Sequence, residues 1–309
     1  MALDLFSLAG GLVLLAGAAH VLVKGAAALA LRFGLSPLVV GLTVVAFGTS
    51  APELVVSVQS ALEGAGGIAV GNVVGSNVAN VALILGVAAL VRPIASDPGV
   101  LRRDLPVLLA ATALGAAVLL DREVGRLEGV ALLLCLIAYL TWSVRAGHSD
   151  LEAETPSAPS SAVKDAAFVV AGLAGLVVGA DVFVGGAVRL AEAAGVSNAV
   201  IGLTVVAVGT SLPELATSMV AAFRGESEIA VGNVVGSNLF NVLGILGVGA
   251  LVRPLAAPGL EVVDVAVMVV VTAAVVPMMV SGRRLVRLEG AALVAGYVAY
   301  VGYLVIQHA

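Results

Sequence analysis

Apolar residues run through this chain in long blocks, separated by short clusters of Gly, Pro and charged residues. A helix needs about 20 mostly apolar residues to cross a bilayer. On that length the pattern predicts ten spans, at 5–31, 37–62, 68–91, 100–120, 125–145, 165–193, 198–222, 229–252, 260–281 and 287–306. The longest break, 147–164, carries Asp150, Glu152, Glu154, Pro156 and Pro159 and reads as a flexible linker, too short for a regulatory domain. Asp4 precedes the first span where a signal peptide would carry Lys or Arg, so this span is expected to stay in the mature protein.

The two halves repeat each other at an offset of 161 residues. Gly41–Glu53 (GLTVVAFGTSAPE) matches Gly202–Glu214 (GLTVVAVGTSLPE) at 11 of 13 positions, and Ala69–Pro93 matches Ala230–Pro254 at 20 of 25. The matched letters include Thr, Ser, Pro, Glu, Asn and Arg, so shared apolar composition does not account for them. Each half holds five spans. Five is odd, so the second half starts on the opposite side of the membrane. The predicted fold is all-α and integral to the membrane: ten transmembrane helices as two inverted-topology five-helix repeats, 1–146 and 165–309, joined by the 147–164 linker. Inverted repeats are the architecture of many secondary transporters, with the substrate near the midplane between the halves.

Polar residues interrupt the best-matched blocks. Thr49, Ser50 and Glu53, echoed by Thr210, Ser211 and Glu214, lie inside apolar spans. A carboxylate at that depth costs about 2.5–3.5 kcal/mol on insertion scales, and a bound cation is the natural compensation. Pro52 and Pro213 each remove one helical hydrogen bond. With the neighbouring glycines they are expected to turn backbone carbonyls around Ala46–Gly48 and Ala207–Gly209 toward an ion. Asn72, Ser76 and Asn80 follow at intervals of four, as do Asn233, Ser237 and Asn241. Packing through Gly71-x-x-x-Gly75 and Gly232-x-x-x-Gly236 is the competing account of this block. For Asn72, Asn77, Asn233 and Asn238 the structural and functional readings are evenly matched.

The ligand set is all oxygen, with no Cys or His in either motif. That points away from zinc, copper and iron and toward hard cations. Calcium accepts six to eight such oxygens, and two glutamates neutralise it; the same oxygens suit Na+. No catalytic residue and no cofactor are expected, because neither Ser50 nor Ser211 has a histidine in its motif to act as base. A cation channel could use the same ligands, but inverted halves and broken helices favour alternating access.

Composition agrees with this class. Hydrophobic residues make up 61% of the 309 and charged ones 11%, where a soluble domain carries about a quarter charged. Mean hydropathy is +1.15 and net charge −5. This excludes a soluble enzyme, a disordered chain and a basic nucleic-acid-binding face, and the lone Cys135 excludes a disulfide scaffold. Ten loop Lys and Arg residues fall on one side of the predicted topology against four on the other. The positive-inside rule then places both termini outside and the linker in the cytoplasm of a plasma (inner) membrane protein. His20, Lys24 and Asp181 are ionisable residues within spans; a hydrogen-bonded or snorkelling role near a span end fits them better than an ion-handling one.

GTSAPE and GTSLPE, each followed by GNVVGSN and a further Asn, resemble the two α-repeats of the cation/calcium exchanger superfamily, and the chain looks like a prokaryotic calcium/sodium antiporter of that group. The resemblance spans essentially the whole length. It implies a central ion cluster built from the second, third, seventh and eighth spans. By motif position its carboxylates are Glu53 and Glu214, and its hydroxyl ligands Thr49, Ser50, Ser76, Thr210, Ser211 and Ser237. Its carbonyls are Ala46 and Ala207, and its amides Asn80 and Asn241. The resemblance implies Ca2+ exchange for Na+, or in some branches for H+ or with K+, by alternating access, with the lipid bilayer and inorganic cations as the only partners. Some relatives carry Asp where this chain has Asn80 or Asn241.

Overall fold

In the computed structural model, residues 2–149, 161–194 and 207–308 are described. The helices are α1 (Ala2–Phe33), α2 (Pro37–Thr49), α3 (Ala51–Glu63), α4 (Gly66–Val91), α5 (Leu105–Val118), α6 (Arg126–Ser149), α7 (Ala162–Ala193), α8 (Ala207–Thr210), α9 (Leu212–Arg224), α10 (Ser227–Val252), α11 (Val262–Val280) and α12 (Arg287–His308). Among the described residues seven helices are long and apolar enough to cross a membrane, and α2 with α3 makes an eighth if the pair is one bent span. The fourth predicted span is α5, entered through a π-helical turn at Val100–Asp104. The seventh is α8 and α9, and its first part lies outside the described residues.

Helices run further into the predicted linker than composition suggests. α6 continues to Ser149, and α7 begins at Ala162, where the Ser161 hydroxyl accepts from the Lys164 amide and caps the helix. Residues 150–160 lie outside the described residues.

Two short antiparallel ladders join the halves. β1 (Ile94–Ala95) pairs with β4 (Arg284–Leu285), and β2 (Glu123–Val124) pairs with β3 (Leu255–Ala256). Ile94 faces Leu285 and Val124 faces Leu255. Adding 161 to 94 gives 255, and to 124 gives 285, so the second pairing is the first with the halves exchanged. A reciprocal register of this kind is what a two-fold relation between the halves produces.

α1 and α7 zip together along their length through small residues. A Cβ on Gly172 would lie 2.7 Å from the Leu22 backbone, and one on Gly11 would lie 2.7 Å from the Phe183 amide nitrogen. Ion pairs close both ends, Arg32 to Asp165 at 3.1 Å and Arg189 to Asp4 at 2.8 Å. Burial follows this division. One apolar cluster fills the bundle around α4, α5, α10 and α11, and a second lies where α1 and α7 meet α2, α9 and α10. The outer faces carry exposed Leu, Val and Ile, as a lipid-facing surface requires.

α2 crosses α10 at backbone contact. A Cβ on Gly236 would lie 2.5 Å from the Leu42 carbonyl oxygen, and one on Gly232 would lie 2.7 Å from that of Leu38. Backbone cannot yield as a flexible side chain can, and overpacking of this kind costs about 1–3 kcal/mol. Gly236→Val is therefore expected to lower the thermal stability of the detergent-solubilised protein by several degrees. Gly296→Ala, where nothing lies within 4 Å, is expected to leave it unchanged.

Candidate functional site

The site is built where two broken spans meet. α2 ends at Thr49, Ser50 takes up φ −84° and ψ 9°, and α3 leaves at 47° to α2. The cause is local: Pro52 has no N–H for the Gly48 carbonyl, so the α-helical ladder cannot run through. Ser211 between α8 and α9 has almost the same geometry, φ −89° and ψ 6°, ahead of Pro213. Each break places a Thr-Ser pair and, three residues after the Ser, a glutamate at the start of the departing helix. Gly64 and Gly225 end the two helices in left-handed conformation, φ 81° and 83°.

Glu53 and Glu214 are almost fully buried, and so are Thr49, Ser50, Ser76, Asn80, Ser211, Ser237 and Asn241. Thr210 is half-buried. The two carboxylates lie close enough to feel each other's charge. The Ser50 hydroxyl donates to Glu214 Oε1 at 2.8 Å, and Thr49 also interacts with that carboxyl. Ser211 interacts with the Glu53 carboxyl without meeting hydrogen-bond geometry. Hydroxyls of one half therefore address the glutamate of the other.

The Ala46 carbonyl takes two hydrogen bonds, from the Ser50 amide at 3.0 Å and from Thr49 Oγ1 at 3.3 Å. Thr49 has one hydroxyl hydrogen, which Asn233 Oδ1 contests at the shorter distance of 3.0 Å, so only the Ser50 amide holds this carbonyl firmly. Ala207 opens α8, and its side chain lies outside the described residues. The Ser211 amide turns to the Val208 carbonyl at 3.1 Å.

The four asparagines left open between structure and function are all engaged in bonding. Asn72 Nδ2 donates to the Glu53 carbonyl at 3.2 Å and to Ser57 at 3.0 Å. Asn233 Nδ2 does the same to the Glu214 carbonyl at 3.3 Å and to Ser218 at 2.9 Å, and its Oδ1 accepts from Thr49 at 3.0 Å. These two fix the glutamate backbones. Asn77 and Asn238 bond across the halves to Asn241 and Asn80. Asn80 and Asn241 each lie in a π-helical stretch, Ala79–Leu85 and Phe240–Ile245, which packs on the glutamate-bearing helix of the opposite half, α9 and α3 respectively. Such π stretches often mark functional sites.

Six buried polar atoms of the candidate residues have no hydrogen-bond partner: Glu53 Oε2, Glu214 Oε2, Asn80 Oδ1, Asn241 Oδ1, Ser211 Oγ and Ser237 Oγ. Four are amide or carboxylate oxygens that can only accept, and they come in mates 161 residues apart. Leaving one buried polar group unsatisfied costs about 1–3 kcal/mol and more when it is charged, a cost that a positive ligand at these oxygens would relieve. Among the described residues no group of three His, Cys, Asp or Glu forms a conventional metal cluster. The donor set is two carboxylates with neutral oxygens.

Thr217, one turn beyond Glu214, adds a buried hydroxyl without a partner. Its mate in the first half is Val56, so the repeat alignment pointed away from it. His20 contacts Arg224 at 3.2 Å, Lys24 lies 5.5 Å from the Phe168 ring centroid, and the Asp181 residue is exposed. None of these three belongs to the buried cluster.

The family model described as "Sodium/calcium exchanger protein" matches residues 3–145 and again 164–306. This chain belongs to the sodium/calcium exchanger family. It is 39% identical to the putative antiporter CaxA of Alkalimonas amylolytica, over 94% of this chain and 95% of the relative. It is 34% identical to the sodium/calcium exchanger MaX1 of Methanosarcina acetivorans, again over 94% and 95%. A solved structure of the sodium-calcium exchanger NCX_Mj superposes with a TM-score of 0.86 at 34% identity, covering 97% of this chain and 98% of that one. The chain is thus a multi-pass membrane protein with the family and fold of membrane exchangers, and the family model matches once in each half.

Asn233 ties α10 to the Glu214 backbone, to Ser218 and to Thr49 of the other half. Asn233→Ala is expected to destabilise this exchanger by about 2 kcal/mol. In a double-mutant cycle of thermal stability with Ser218→Ala, a coupling of about 1 kcal/mol is expected; strict additivity would mean that the two side chains do not act together.

Proposed function

We propose that this chain is a secondary antiporter that exchanges Ca2+ for Na+ across the membrane by alternating access, with its ions bound between two inverted halves, 1–146 and 165–309. The observation that carries this reading is the paired set of open acceptor oxygens on Glu53, Glu214, Asn80 and Asn241. Thr49, Ser50, Ser76, Thr210, Ser211 and Ser237 supply hydroxyls, and Ala46 and Ala207 carbonyls. Thr49 can give its one hydrogen to Asn233 Oδ1 when the Ala46 carbonyl takes an ion.

The chemistry favours calcium. Two carboxylates carry −2, which one Ca2+ neutralises, and neutral amide, hydroxyl and carbonyl oxygens complete a shell of six to eight. Magnesium holds its own waters too firmly for so much protein oxygen. Na+ suits the same oxygens in smaller groups, so both ions can compete for one cluster. That competition is the basis of exchange: the loaded site turns over, and the empty one, with two buried negative charges, has reason not to. The excess of Lys and Arg on one set of loops supports an orientation with both termini outside and the 147–164 linker in the cytoplasm.

The test is 45Ca2+ uptake into proteoliposomes. Uptake is expected with Na+ inside and to be absent with K+ or choline inside. Glu53→Gln keeps the shape and removes one charge; uptake is expected to fall by about 100-fold or more, the consequence of unbalancing a buried ion cluster. Uptake driven by a pH gradient without Na+ would replace the counterion with H+. Equal uptake in every internal solution would make the chain a channel.

A further inference from the structure

Asn80 and Asn241 are amides, and an amide offers a cation either an oxygen or a repelling NH2 group. Which end faces inward is set by what holds the other end. Here that end is held by the opposite half. Asn80 Nδ2 donates to Asn238 Oδ1 at 2.9 Å, and Asn241 Nδ2 donates to Asn77 Oδ1 at 3.1 Å. Each bond takes one hydrogen of the NH2 group and so turns the nitrogen toward the other half, leaving the oxygen as a buried acceptor without a partner.

The two holders are not equally fixed. Asn238 is committed at both ends of its own amide, because its Nδ2 donates to the Asn77 backbone carbonyl at 3.2 Å. A flip of Asn238 would lose that bond as well. Asn77 is committed firmly at one end only, since its Nδ2 meets the soft Met268 sulfur at 3.8 Å. Flipping Asn77 exchanges a weak contact for a donor pointed at position 241. All four asparagines are buried, so water does not relieve a wrong orientation.

The geometry points to Asn238 as a positioning residue that locks the amide of Asn80 with its oxygen toward the bound cation, while Asn77 leaves position 241 open to either an amide or a carboxylate. This rests on the cation-site reading above and deepens it. Asn238 does not touch the ion; it acts through Asn80.

Two contrasts follow. Aspartate at 80 has no N–H to give Asn238 and would set oxygen against oxygen, whereas aspartate at 241 is met by a flipped Asn77. Asn80→Asp is therefore expected to weaken Ca2+ binding by about tenfold or more, although it adds a negative charge. Asn241→Asp is expected to bind Ca2+ at least as well as the wild type. Asn238→Ala releases the Asn80 amide and is expected to weaken Ca2+ binding by about tenfold. In the double variant Asn80→Asp/Asn238→Ala, the carboxylate presents oxygen whichever way it turns and nothing opposes it. The double variant is expected to bind more tightly than either single one.

The experiment measures 45Ca2+ binding by equilibrium dialysis on the full chain in detergent, alongside the KM and maximal rate of Na+-driven uptake. Rescue in the double variant, carried by KM rather than by maximal rate, supports the proposal; a packing role for Asn238 gives additive losses instead. Additive losses, or Asn238→Ala with wild-type affinity, overturn it. If Asn238→Ala fails to fold, the contrast between Asn80→Asp and Asn241→Asp still decides, and equal effects at the two positions overturn the proposal. A wild type that binds no Ca2+ overturns the functional reading itself, which a failed rescue with normal wild-type binding leaves standing.

Discussion

Two carboxylates buried in one apolar bundle are the constraint on which the rest depends. Neither charge can stay in such a place unless something polar and cationic answers it. The surrounding structure makes the site possible without neutralising it internally. Among the described residues, Arg32, Arg103 and Arg189 form their ion pairs elsewhere, with Asp165, Asp104 and Asp4. Hydroxyls and asparagine amides answer part of the demand, and acceptor oxygens remain open. A bundle built only for stability would have paired these groups or replaced them with leucine.

The broken spans and the close crossings follow from that constraint. A continuous helix spends its carbonyls on its own ladder, and Pro52 and Pro213 interrupt that ladder and break the spans. A broken span has weaker axial cohesion and needs lateral support. Glycines let α2 lie on α10 at backbone contact, and Asn72 and Asn233 hold the glutamate backbones from the side. The α1–α7 pair backs this machinery: an ion pair closes each of its ends, and the apolar cluster it forms also takes in residues of α2, α9 and α10.

Much of this was legible in the residues. Hydrophobic blocks gave most of the spans, because lipid tolerates little else over that length. The repeat picked out Glu53, Glu214 and their flanking hydroxyls, because polar letters matched across 161 residues cannot come from composition. Four features were not legible. The π-helical stretches around Asn80 and Asn241 depend on how neighbours pack, and no residue type announces them. The partners of Asn77 and Asn238 lie in the other half, beyond any local spacing rule. The ends of α6 and α7 extended into a stretch whose Pro and Ser content reads as a linker, since the Ser161 cap and the burial of Asp165 against Arg32 favour helix there. Thr217 was hidden for the opposite reason: its mate in the repeat is the apolar Val56.

The halves are alike in sequence but not in bonding. The Ser50 hydroxyl is bound to Glu214, while the Ser211 hydroxyl is left without a hydrogen bond beside Glu53. The Ser50 amide reaches back four residues to Ala46, while the Ser211 amide reaches back three to Val208, a tighter turn. Two equivalent motifs in one folded chain have therefore settled into different local minima. Matched residue types at the two breaks therefore do not fix one bonding pattern. The neighbours differ, with Phe47 standing where the second half has Val208 and Ala51 where it has Leu212, and side chains of different bulk beside a broken helix can settle its turn differently.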